Sequence, residues 1–259
     1  MNLANGRYLN NHGFCGVGDY DLYSKWIGFS VRCLKGPPPE WGCGDPLYDD
    51  RDDQTYETVE IGEQCWMKEN LNIGTRIDGA NEMQDDSIIE KYCYDDDESN
   101  CDDYGGLFQW DEMMQYITTE GTQGICPTGW HLPSDTEWTQ LTDFIGGTGS
   151  PHGNELKSCR QVNSPLGGTC NTFEHPRWVE DTYFGNYGTD DYGFSGLPGG
   201  CRFSDGTFYY VGYGGYWWSS TETSSYFAWF RDLYYDNGYV YVNDYNKQYG
   251  FSVRCLRDN

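Results

Sequence analysis

The chain has 259 residues, enough for one large domain or two small ones with a buried core. Its 16 Lys+Arg stand against 41 Asp+Glu, and a formal net charge of -25 repels phosphate backbones and anionic lipid, which argues against nucleic acid and membrane-surface partners. Aromatics make up 17% of the residues, more than long disordered tracts carry, so the chain reads as folded, acidic and rich in Gly and Tyr. No window approaches the roughly 18 consecutive apolar residues of a membrane helix, so no membrane insertion is expected. The opening MNLANGRYLNN lacks the basic-then-apolar layout of a signal peptide, and export is not written in this chain. Eleven cysteines without a CxxC or zinc-type His/Cys spacing nevertheless favour disulfides and an extracellular or cell-surface location.

In chain order, the first signal is a repeat: IGFSVRCLK over Ile27 to Lys35 returns as YGFSVRCLR over Tyr249 to Arg257. Residues 1–35 therefore look like the end of another copy. Gly36-Pro37-Pro38-Pro39 opens a stiff spacer that, with an acidic lead-in, runs over 36–51, and the main domain spans 52–259. Tyr56 to Ile61, Gly62-Glu63 and Gln64 to Met67 predict a two-residue hairpin. Leu107, Trp110, Met114 and Ile117 fall at helical spacing, as do Trp138, Leu141 and Ile145. The second of these helices has a capping box in Ser134 and Glu137 and a stop in Gly146-Gly147. From Gly147 to Gly215 the Gly-, Asn- and Pro-rich sequence predicts loop with short strands, where Cys159 and Cys170 are close enough to form a clip. The end alternates, with Tyr239, Tyr241 and Asn243 on one face and Val240, Val242 and Asp244 on the other, and then Phe251, Val253 and Cys255 share a face.

QCWMKENLN, CYDDDESNCDDYGGLFQWDEM, GICPTGWHLPSDTEW, GFSGLPGG, GYWWSSTE and GFSVRCLRD, in that order, resemble the Fibrobacter succinogenes major paralogous domain. The resemblance implies a secreted α+β domain of the C-type-lectin-like class, with two helices, small twisted antiparallel sheets and long disulfide-clipped loops. Such a fold is akin to formylglycine-generating enzymes and to the variable proteins of diversity-generating retroelements. It further implies a Cys126 to Cys255 pair and a Cys93 to Cys101 pair, while Cys15, Cys33, Cys43, Cys159, Cys170 and Cys201 depart from the family's usual set.

Two candidate sites emerge. Asp95, Asp97, Asn100, Asp102 and Asp103 crowd oxygen ligands into one loop in a way that suits calcium, although the spacing is not that of an EF-hand. The competing reading is a solvated acidic loop. The stronger candidate is the surface from Ser219 to Tyr249, whose Tyr, Asn, Asp and Ser content matches antibody-like paratopes. Its expected ligand contacts are Trp217, Trp218, Tyr226, Trp229, Tyr234, Tyr235, Tyr239, Tyr241, Asn243 and Tyr245, although a Trp pair in a strand-rich core is more often packing. The Glu-Pro-Asn, Gln-Pro-Asp and Trp-Asn-Asp motifs of classical sugar-binding lectins are missing, no nucleophile elbow occurs, and His131 reads as structural. The expectation is a non-enzymatic extracellular module that binds a protein, peptide or glycan. The alternative is a structural subunit of a surface fibre that self-assembles through residues 1–35 by strand donation.

Overall fold

The computed structural model describes residues 41–160 and 178–258, together with the backbone of two strands within residues 1–40. It divides into two units, Met1–Trp41 and Gly42–Asn259. In the first, β1 (Leu3–Tyr8) pairs antiparallel with β2 (Gly18–Ser24), with Tyr8 opposite Gly18.

The second unit opens with β3 (Leu47–Asp49) against β4 (Gln54–Tyr56), then the expected hairpin of β5 (Thr58–Ile61) and β6 (Gln64–Met67). Gly62 turns it at φ 66, a conformation that favours glycine, and an added Cβ would press on the Phe144 ring at 3.0 Å. A parallel pair, β7 (Thr75–Arg76) and β8 (Glu90–Lys91), leads to a 3-10 turn at Tyr94–Asp96 and to α1 (Glu98–Tyr104).

The helix expected around Leu107 to Ile117 is not one helix. Leu107–Phe108 form strand β9, and only Trp110–Met113 (α2) are helical. Leu107, Trp110, Met113 and Met114 are all buried in this strand-then-turn arrangement, so their spacing imitates a helical stripe. Gln115 and Tyr116, both at positive φ, end the helix, and Ile117 is exposed. After β10 (Trp130–His131) comes α3 (Asp135–Ile145), with the expected Ser134/Glu137 capping box and Gly146 at φ 112. A further short helix, α4 (His152–Leu156), was not foreseen, because its five residues bury only Gly153 and Leu156.

The remaining strands are β11 (Gly199–Arg202), β12 (Phe208–Val211), β13 (Gly214–Glu222), β14 (Phe227–Tyr234), β15 (Tyr241–Asn246), β16 (Phe251–Ser252) and β17 (Leu256–Arg257). They build a five-stranded sheet, β15-β14-β13-β16-β9, and complete a four-stranded one, β10-β17-β6-β5. GFSVRCL is thus not a single strand but a crossing: Phe251 lies in the first sheet and Leu256 in the second. Arg254, fully buried at the crossing, donates to Asn70 Oδ1 at 2.9 and 3.2 Å and lies 4.3 Å over the Phe194 ring. The main core gathers Trp66, Trp138, Leu141, Phe194, Trp217 and Leu233 under α3.

Disulfides join Cys93 to Cys101 and Cys126 to Cys255, the two pairs that the resemblance implies, and a third joins Cys43 to Cys65. Cys159, expected to be clipped to Cys170, carries a free thiol, while Cys170, like Cys15 and Cys33, lies outside the described residues.

Candidate functional site on the aromatic sheet face

The register of β13, β14 and β15 decides which side chains meet. Directly opposed residues of antiparallel strands share a face. Phe230 therefore stands between Trp218 and Asn243, Asp232 between Tyr216 and Tyr241, and Ala228 beside Tyr245, with Tyr234 on the same face one step along. Phe251 of β16 stacks on Tyr216 at 5.3 Å and reaches Trp218 at 4.4 Å. Gly214, opposite Tyr234, is required by close approach, since a Cβ would meet the Tyr216 hydroxyl at 2.8 Å.

Over this face folds the β11–β12 hairpin, anchored where Arg202 and Gly250 exchange backbone hydrogen bonds of 2.9 and 2.8 Å. Phe203 packs on Tyr249 at 4.9 Å, and Tyr249 meets the Tyr245 ring edge-on at 4.5 Å. Together with Cys201, Tyr210, Tyr216, Phe230, Tyr234 and Phe251, these rings line a pocket of about 190 Å³.

Polar groups on this face are perturbed by burial, including Asp232, which lies beneath the face and is not among the residues lining the pocket. Asp232, 1% exposed, is pushed up to about 6 by burial, against the hydrogen bonds from Asn243 Nδ2 (3.1 Å) and Tyr234 and the pull of Arg231. The free thiol of Cys201 and the hydroxyl of Tyr216 are pushed up by burial, and Tyr234 is raised to about 12 by the same cause. Arg231, one residue away, turns to the opposite face and pairs with Asp135 of α3 at 2.7 Å.

Of the residues expected to contact a ligand, Tyr234, Tyr241, Asn243 and Tyr245 come together on this face, with Tyr239 at its margin, 6.1 Å from Tyr241. Tyr226 is exposed in the β13–β14 turn, Trp229 alternates to the opposite face, and Tyr235 packs edge-on against Tyr213 at 5.1 Å. Trp217 and Trp218 are a correction: each is 1% exposed and neither reaches solvent, because β13 is covered on both faces. Tyr216, Tyr249, Phe203 and Tyr210 also line the pocket, and Asp232 is buried beneath the same face; none of these is among the contacts expected from the sequence. For Tyr216 and Asp232 the alternation of β13 and β14 carried a usable signal; for Phe203 and Tyr210 nothing local announced that the hairpin folds over the sheet.

Two of the five residues of the acidic loop serve its own turn and helix. Asp97 caps α1 by accepting from Ser99 N at 3.0 Å, Asn100 Nδ2 donates to Tyr94 O at 2.8 Å, and Asp95 sits at φ 54 inside the 3-10 turn. Asp102 and Asp103 are exposed on α1. Among the described residues no group of three or more His, Cys, Asp or Glu side chains is arranged to hold a metal ion.

The family model of the Fibrobacter succinogenes major domain matches residues 59–257. The chain belongs to this family. The matched span runs from β5 to β17 and so contains both main sheets and the aromatic face, while β1 and β2 lie outside it. No curated protein and no solved structure matches the chain.

Proposed function

We propose that this family member is a non-enzymatic extracellular binding module of the C-type-lectin-like fold that presents the aromatic face of β13–β15 to a protein, peptide or glycan. The observation that carries the reading is the convergence of Tyr216, Tyr234, Tyr241, Tyr245 and Tyr249 on one face around an open pocket. Tyrosine supplies large contact area at low entropy cost and a hydroxyl at the tip. The fold assignment draws on the mixed helix and sheet composition, the small, mostly antiparallel sheets and the disulfide-closed acidic loop. Three disulfides suggest an oxidising extracellular environment, and among the described residues no helix is long and apolar enough to cross a membrane. A screen of the full chain against glycan and peptide arrays, repeated with Tyr234, Tyr239, Tyr241 and Tyr245 changed to Ala, tests it. Loss of the hits supports the reading; hits that all survive refute it.

A second reading, strand donation between copies, is favoured by one relationship. Strand β2 ends at Ser24, four residues before Gly28 of its GFSVRCL, and β15 ends at Asn246, four residues before Gly250 of its own (28-24 and 250-246). The N-terminal segment thus repeats a hairpin unit that forms the edge of the five-stranded sheet. Light scattering at rising concentration decides: a concentration-independent monomer rules this assembly out.

A further inference from the structure

We propose that the aromatic pocket takes the phenol side chain of a tyrosine on a peptide or protein partner, its ring among the pocket's rings and its hydroxyl bonded to the Tyr216 hydroxyl. This rests on the binding-face reading above and names the side chain that the face selects.

The pocket is graded from mouth to floor. Tyr210 and Tyr245 are exposed and Phe203, Tyr234 and Tyr249 half-buried, and these form its mouth. Cys201, Tyr216, Phe230 and Phe251 are each 5% exposed or less and form its floor. A volume of about 190 Å³ suits one six-membered ring, since a dry apolar cavity of roughly 150 Å³ holds benzene. The floor is apolar except at two atoms. The Cys201 thiol is in use, donating to Tyr209 O at 3.7 Å. The Tyr216 hydroxyl is buried and no group among the described residues bonds it: the Tyr234 hydroxyl is near enough to act on its acidity but does not meet it in bonding geometry. A hydroxyl left unpaired in such a place is costly, and an entering group with one polar atom at its tip relieves the cost.

The lining decides among ligand classes, because it holds no carboxylate, amide or guanidinium. A sugar ring brings several hydroxyls to a floor that can bond one of them and leaves the others unpaired. A lysine or arginine brings a charge that no carboxylate of the lining meets. A phenol matches on both counts, with one apolar ring and one hydroxyl that both donates and accepts. The pocket's rings already pack as an incoming ring would: Phe251 stacks on Tyr216 at 5.3 Å, Phe230 lies 4.9 Å from Phe251, and Tyr245 meets Tyr249 edge-on at 4.5 Å. A peptide source is favoured by the strand beside the pocket. Among the described residues no strand pairs with the outer edge of β15, which carries Tyr245, and an extended peptide can pair there while alternate side chains turn to the aromatic face.

The test titrates the isotopically labelled full chain at pH 7.5 with acetylated, amidated Gly-Tyr-Gly, Gly-Phe-Gly and Gly-Lys-Gly, with p-cresol and with methyl glucoside, following backbone and tyrosine NMR signals. The tyrosine peptide is expected to perturb β13–β15 and to bind roughly fivefold more tightly than the phenylalanine one, the worth of one net hydrogen bond. Tyr216→Phe removes a hydroxyl that bonds nothing in the fold, and in that variant the ratio is expected to fall to about one while the phenylalanine peptide keeps its affinity. Tyr245→Ala, at the exposed mouth, is expected to weaken both aromatic peptides without unfolding the chain. The tyrosine peptide is expected to bind more tightly than p-cresol; equal binding assigns the pocket to free phenols and overturns the peptide source. Equal binding of the two aromatic peptides to the wild type, a ratio that survives Tyr216→Phe, methyl glucoside or the lysine peptide binding as tightly as the tyrosine one, or no perturbation of the face overturns the proposal. If array ligands without a phenol bind the face and lose affinity on Tyr245→Ala, this inference fails while the binding-face reading stands; if tyrosine substitutions leave all binding intact, that reading itself fails.

Discussion

Trp217 and Trp218 are neighbours in β13 and lie on opposite faces of its sheet: the Trp217 indole donates to Asn70 Oδ1 at 2.8 Å inside the main core, and the Trp218 indole donates to Phe108 O at 2.9 Å beneath the aromatic face. Both therefore belong to the frame. Changing either to Ala is expected to cost roughly 3–5 kcal/mol in denaturant unfolding, whereas Tyr245→Ala costs less than about 1 kcal/mol. Near-neutral effects at either tryptophan would contradict this division between frame and face.

Asp232 gives a stability signature of its own. Its folded-state pKa is raised to about 6, so the carboxylate opposes folding above that pH, and the penalty fades as pH falls through about 6 toward the ordinary value of 3.8. The groups facing or flanking it, Cys201 of β11, Tyr216 of β13, Tyr234 and Arg231 of β14 and Tyr241 of β15, do not change charge in that window: burial raises the thiol and the hydroxyls, and the guanidinium stays charged. Asp232→Asn is expected to stabilise the chain at pH 7.5 by up to roughly 3 kcal/mol, with the gain shrinking toward pH 4.5. A pH-independent difference in urea unfolding would contradict the assignment.

How much of this was legible beforehand depends on how local each feature is. The β5–β6 hairpin and α3 were readable because Gly62, the Ser134/Glu137 box and Gly146 act within a few residues. The apolar spacing from Leu107 misled, because a strand and a short helix that are both buried leave the same trace as one amphipathic helix. GFSVRCL read as one strand because every residue in it is buried, so nothing in the pattern marks the passage between sheets at Arg254. Half of the aromatic face followed from alternation in β15. The half supplied by Phe203 and Tyr210 depends on the Arg202–Gly250 bridge, a contact between residues 48 positions apart (250-202) that no local signal encodes.

The helical end of the four-stranded sheet is held by His131, which bonds to Glu137 at 2.9 Å and Asp258 at 2.7 Å. The Glu137 bond, then the Asp258 bond, raise His131 above its ordinary value against the effect of burial. Its stabilising contribution is fully present below about pH 6.5 and is lost as pH rises through the higher folded-state value. Burial raises Glu137, but the bonds from His131 and Ser134 outweigh it and leave the carboxyl below its ordinary value, so its contribution is lost only as pH falls through that depressed value. The Tm gap between wild type and His131→Gln is expected to be widest between about pH 4.5 and 6.5 and to narrow by pH 8. A gap that widens with pH would contradict the pairing.

The disulfides should rank by the loops they close. Cys126–Cys255 spans 129 residues and Cys93–Cys101 spans 8. On a chain-entropy basis, replacing the first pair by alanines costs roughly 5 kcal/mol and replacing the second roughly 2.5 kcal/mol. Unfolding of the two double variants in guanidinium checks the order, and a reversed order would show that strain or local packing outweighs loop closure.

The most direct test of the aromatic face is side-chain footprinting of the chain by hydroxyl radicals, with and without a ligand taken from the array screen. Tyr234, Tyr241, Tyr245 and Tyr249 should be protected, while Tyr48, 58% exposed, and Tyr183, 88% exposed, serve as internal controls and should not change. Protection at Tyr48, at Tyr183 or around the acidic turn at Tyr94, with the face unaltered, would contradict the account.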